Sequence, residues 1–154
     1  MYNRQLAIGY ARKWALSRNP NFYNFDKIGG NCTNFISQCI YAGAGVMNFT
    51  KDIGWYYINA TNRAAAWTSV HYLYKFLTTN KTKAPYGKEV NVTRVEPGDI
   101  IQLSFDGTTF SHSLFVTETW PNILVAANSK DVLDIPLEAY DYEVARAIKI
   151  LGVK

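Results

Sequence analysis

The sequence predicts an α+β domain, with N-terminal helices packed on a C-terminal antiparallel sheet. Three observations carry this. Two amphipathic helical patterns occupy the first 45 positions. Short apolar runs bounded by turn residues fill the second half, from Pro97 onward. Helices first and strands second, without βαβ alternation, point to an antiparallel sheet covered on one side. The length, 154 residues, fits a single domain spanning 1–154.

Asn3 is placed to cap a first helix whose apolar stripe is Leu6, Ala7, Tyr10, Ala11, Trp14 and Ala15. Asn19-Pro20-Asn21 ends it. A loop through Phe22, Tyr23 and Phe25 leads to Gly29-Gly30-Asn31. A second helix starts there: Cys32, Phe35, Ile36, Cys39 and Ile40 fall at i, i+3, i+4, i+7 and i+8. Gly43 and Gly45 close it. A third helix is predicted over 64–77, with Trp67, Val70, Tyr74 and Leu77 on one face. Pro97-Gly98-Asp99 turns into a strand over 100–103, and Asp106-Gly107 marks a hairpin. Strands follow over 114–117, 123–127 and 144–151, with a short helical turn over 136–140.

Composition narrows the functional classes. Hydrophobic residues make up 48% and charged residues only 18%, so the whole chain is expected to fold. The net charge of +4 comes without an arginine-rich arm or a basic motif, which argues against nucleic-acid binding. A mild basic excess suits approach to a polyanionic surface such as a bacterial wall. The eleven tyrosines suit a wet cleft for a polar ligand. No stretch is long and apolar enough to insert in a membrane, and Met1-Tyr2-Asn3-Arg4-Gln5 does not read as a signal peptide. The expected localisation is therefore soluble, with no assigned compartment. Cys32 and Cys39, two helical turns apart at roughly 10 Å, are too distant for a disulfide. With His71 and His112 they form no zinc motif, so no metal or other cofactor is expected.

Cys32 is the residue that carries chemistry. Gly29 and Gly30 allow a tight turn, Asn31 is a good N-cap, and Cys32 is then the first helical residue. Unpaired amides and partial positive charge at a helix start favour a thiolate nucleophile and can hold an oxyanion. Asn31, Thr33 and Gln38 are the candidates for contacting substrate or oxyanion. Cys39, on the apolar face, fits a structural role. His112, in Ser111-His112-Ser113 at the head of an apolar strand, is the candidate general base; His71, within a helix, reads as scaffold. Asn128 follows the next strand and is the candidate third residue, orienting the imidazole as in Cys-His-Asn sites. Asp131 competes for that role.

These segments together resemble the putative amidase domain family of Gram-positive bacteria and their phages. The resemblance runs through Tyr2-Asn3-Arg4 with Ala7, Tyr10, Ala11 and Trp14-Ala15; Asn19-Pro20 with Phe25; Gly29 through Cys39; Pro97 through Gln102; and His112-Ser113. The Pro-Gly-Asp strand and His-led strand also look like NlpC-type and CHAP-type cysteine hydrolases. The resemblance implies a papain-like core, a Cys32–His112–Asn128 triad, and cleavage of amide bonds in bacterial cell-wall peptides by an amidase or endopeptidase, as in a phage lysin. The chain departs from the family in Ala127-Asn128-Ser129-Lys130-Asp131, where histidine with a nearby aspartate is usual, and at Asn31, where aspartate is common. The implied partner is a peptidoglycan peptide; oligomeric state is not implied. Two other readings stay open: a non-catalytic wall-binding module on the same fold, and a cysteine amidase or acyltransferase acting on a non-wall substrate.

Overall fold

A computed structural model describes all 154 residues. Helix α1 spans Arg4–Trp14. Asn3 caps it as expected, its side chain accepting from Leu6 N at 3.0 Å. The buried face of α1 is narrower than the sequence stripe. Ala7, Ala11 and Ala15 are buried, while Leu6 is 58% exposed. Small alanines let α1 lie close against helix α2, Cys32–Ala44. Gly43 serves the same contact: a Cβ there would sit 2.6 Å from the Tyr2 ring and 2.7 Å from Asn3 O.

Helix α2 is the central element. Every residue from Thr33 to Ile40 is buried, so its polar positions are internal rather than a solvated face. A two-stranded ribbon, β1 (Tyr57–Asn59) with β2 (Asn62–Arg63), follows. The single helix predicted over 64–77 is two: α3 (Ala65–Thr68) and α4 (Val70–Thr79). Ser69 breaks them. Its extended backbone (φ −107°, ψ 128°) lets its hydroxyl cap α4 through Tyr72 N. The buried face of α4 is consequently Leu73, Phe76 and Leu77, not Val70 and Tyr74.

Six strands form one antiparallel sheet: β3 (Pro85–Val90), β4 (Ile100–Ser104), β5 (Phe110–Glu118), β6 (Leu124–Ala127), β7 (Val132–Pro136) and β8 (Val144–Val153). Their order is β3-β8-β4-β5-β6-β7. Alternation divides the core. Ile100, Phe115, Ala126 and Ile148 face the helices, with Phe35, Ile36, Trp55 and Trp67. Their neighbours Ile101, Leu114, Val125 and Ala147 face the other way, into a smaller core closed by Val95 and Leu137. Two outer strands, β3 and β7, escape the sequence reading.

The N-terminus is fastened to the sheet. Tyr2 donates to Gly98 O at 2.8 Å, and Arg4 donates to Pro97 O and Ile150 O. Arg4 also pairs at 2.8 Å with Asp99, a fully buried carboxylate that accepts from Glu96 N and Ile150 N as well. Such full pairing is what a buried carboxylate requires. Thus Tyr2-Asn3-Arg4 and Pro97-Gly98-Asp99, two of the segments that look like family signatures, form one structural clasp remote from the cysteine. No helix is long and apolar enough to cross a membrane.

Candidate active site

Gly29 and Gly30 adopt φ of 81° and 93°, in the left-handed region that favours glycine. They turn the chain so that Cys32 opens α2, as the sequence indicates. Asn31 does not cap the helix with its side chain. Its Oδ1 accepts from Phe25 N and Asn34 Nδ2, both at 2.9 Å, and its Nδ2 donates to Asn128 Oδ1 at 3.0 Å. The cap is lost because the side chain is committed to holding the loop. As a result, the backbone N–H groups of Cys32, Thr33 and Asn34 keep no protein acceptor. The first intrahelical bond runs from Phe35 N to Asn31 O.

The Cys32 side chain is partly exposed, whereas Cys39 is fully buried; both thiols are free. Burial pushes the Cys39 thiol well above its ordinary value. Cys32 Sγ lies 3.6 Å from Thr33 Oγ1, which lies 3.0 Å from Ser113 Oγ. Gln102 Nε2 donates to Ser113 in turn. This chain of hydroxyls fastens the first turn of α2 to strands β4 and β5.

His112 sits on β5 beside a register shift. Leu103 pairs with His112 and Ser104 with Phe110, so Ser111 is an extra residue on the β5 side. A bulge of this kind re-aims the adjacent side chain. The His112 ring lies 5.8 Å from the Tyr140 ring. Burial lowers its proton affinity below the usual imidazole value, so the neutral form, the competent base, is favoured near pH 7. Cys32 and His112 both line one space. It is an open cleft of about 550 Å³, lined by Gly30, Cys32, Ser111, His112, Lys130 and Tyr140, among others. No hydrogen bond joins Cys32 to His112 in this state.

Asn128 makes no hydrogen bond to His112. Phe115 pairs with Ala126, so continuing the register sets Asn128 across from Ser113, one residue off His112. In a sheet one residue means the opposite face. Asn128 is 1% exposed and bonds toward the helices, donating to Ala15 O at 2.8 Å and accepting from Asn31. Asp131 is likewise engaged elsewhere, with Arg18. Gln38 lies inside the helical layer, accepting from Tyr10 Oη, and does not line the cleft. Sequence reasoning missed Tyr140, the ring beside His112. It stands after a short helical turn, Leu137–Ala139, and no spacing pattern marks it. No group of three His, Cys, Asp or Glu side chains is arranged to hold a metal ion.

The profile of the family described as "putative amidase domain" matches residues 1–151. An uncharacterized protein of Bacillus subtilis strain 168, YhbB, is 30% identical over 149 residues, 95% of this chain and 46% of the relative. The chain thus spans about half the length of that relative. No solved structure matches the chain.

Proposed function

The chain belongs to the putative amidase domain family, and from that premise we propose that it is a cysteine-dependent amide hydrolase acting on bacterial cell-wall peptidoglycan, as an amidase or endopeptidase. The observation that carries the reading is the convergence of Cys32, at the uncapped start of α2, and His112, on a bulged strand, in one cleft. A helix-borne cysteine facing a strand-borne histidine is also the arrangement of papain-like hydrolases.

In this mechanism His112 accepts the Cys32 proton and the thiolate attacks the amide carbon. The C–O double bond opens to an oxyanion, held by the first-turn N–H groups of α2. The C–N bond then breaks as His112 returns the proton to the departing amine, leaving a thioester on Cys32. Water, deprotonated by the same imidazole, releases the acid and the thiol. Thr33 fixes the first turn through Ser113, and Asn128 acts at one remove by holding Asn31. The imidazole itself is positioned by its strand and by packing against Tyr140. The site of action is the wall, reached after release from a cell or as part of a longer protein.

The test is mass spectrometry of soluble products from purified walls incubated with wild type or Cys32→Ala. New muropeptides or free amino groups from wild type alone are expected, and their masses name the bond. Co-sedimentation with walls without product release would replace the reading with a binding module. Absence of both product release and co-sedimentation would move the substrate away from the wall.

A further inference from the structure

We propose that the cleft takes an amide substrate bearing a carboxylate close to the scissile carbonyl, and that Lys130 is the side chain that reads it. The inference rests on Cys32 being the nucleophile and adds the chemical class of the substrate. Lys130 is the one lysine, arginine, aspartate or glutamate lining the cleft. The remaining wall is largely apolar, through Phe105, Val132, Ile135, Ala139 and Tyr140. A cationic group entering this space meets no carboxylate, whereas an anionic group meets one ammonium.

That ammonium is uncommitted. Lys130 is exposed and takes part in none of the ion pairs of the chain. The two nearby acids are occupied. Arg18 donates to both oxygens of Asp131, at 2.8 and 3.1 Å, and to both oxygens of Asp26, at 3.0 and 3.1 Å.

Its backbone is also fixed close to the nucleophile. Ser129 Oγ accepts from Asn31 N at 3.2 Å and donates to Asp26 at 2.5 Å. Lys130 and Cys32 each stand one residue beyond that Asn31–Ser129 contact. Arg18 anchors the turn on its far side through Asp131. Lys130 itself adopts φ 55°, a left-handed conformation uncommon outside glycine, asparagine and aspartate. The fold therefore holds a long cationic side chain where a smaller residue would sit more easily. The cleft volume of about 550 Å³ is that of a typical small-ligand site, and Cys32 and Lys130 line the same space.

Alkylation of Cys32 tests this without any substrate. Iodoacetate and iodoacetamide deliver the same reacting carbon, one beside a carboxylate and one beside a neutral amide. The ratio of their rates at Cys32, assigned by peptide mass, reads the local preference for an anion. Lys130→Met should lower the iodoacetate-to-iodoacetamide ratio roughly three- to tenfold, as expected for one charge acting across several ångströms of partly solvated cleft. Lys130→Arg should keep the wild-type ratio. Lys51→Met, an equal change of net charge elsewhere on the surface, should also keep it. An unchanged ratio in Lys130→Met, or an equal fall in Lys51→Met, overturns the anion preference and leaves the nucleophile assignment standing. Failure of both reagents to label Cys32 in the folded wild type overturns the nucleophile assignment, and the anion preference with it.

Discussion

Cys32 and Cys39 occupy the same face of one helix, seven residues apart, yet their surroundings differ sharply. Cys32 opens α2 at a cleft that His112 also lines, beside uncapped amides. Cys39 is fully buried in the apolar core, where desolvation opposes the thiolate. The helix supplies the same backbone to both. The first turn differs because Gly29-Gly30 ends the preceding loop there and because Asn31, committed to Phe25, Asn34 and Asn128, leaves the helix start open. The two cysteines thus differ by position along one helix, not by residue type.

The largest effects should break the comparison at Cys32. Cys32→Ala is expected to lower wall hydrolysis by roughly three orders of magnitude or more, with little change in the thermal midpoint because the side chain is only partly buried. His112→Ala should match that loss of turnover, measured as kcat/KM on the same walls. A full rate in either variant would separate the site from the chemistry.

Asn128→Ala sharpens the difference between a catalytic and a positioning residue. It leaves Ala15 O and Asn31 Nδ2 without their buried partner, which should cost about 1–3 kcal/mol in denaturant unfolding. Activity should fall because the Asn31 loop loosens, while the acid limb of the rate profile stays in place. A shift of that limb would instead put Asn128 in contact with the imidazole. Cys39→Ser tests the other end of the comparison. A hydroxyl in that apolar setting should destabilise by about 1–3 kcal/mol, with hydrolysis per folded molecule retained.

The smallest effect is in pH. Burial depresses the folded-state proton affinity of His112 below the ordinary imidazole value of 6.5. The unfolded chain therefore binds that proton more readily. The His112 contribution to stability is fully present above pH 6.5 and is lost as pH falls below it toward the folded value. Melting curves of wild type should show this loss, and those of His112→Gln should lack it. The acid limb of kcat/KM should also lie below 6.5 if the neutral imidazole is the base.

Much of the candidate site is legible because local signals agree. Glycine punctuation, a helical repeat and a cysteine at its first position all point to Cys32, and a histidine leading an apolar strand points to His112. The helix break at Ser69 was hidden because apolar periodicity continues across it, while the capping hydroxyl acts in only one turn. Strands β3 and β7 were hidden because Pro85, Gly87 and Lys88 interrupt one and Asp134 and Pro136 the other, as edge strands often are. The setting of Asn128 is hidden for a different reason. Proximity in sequence to a neighbouring strand does not fix the register, and one residue decides which face a side chain occupies.

The account turns on Cys32 and His112 acting together through a covalent intermediate. The most direct measurement is acid quenching during digestion of purified peptidoglycan fragments, followed by peptide mapping of the protein by mass spectrometry. An acyl adduct on the Cys32 peptide of wild type, absent from Cys32→Ala and strongly reduced in His112→Ala, is the predicted result. Product release by Cys32→Ala, or an adduct on any other residue, would contradict it.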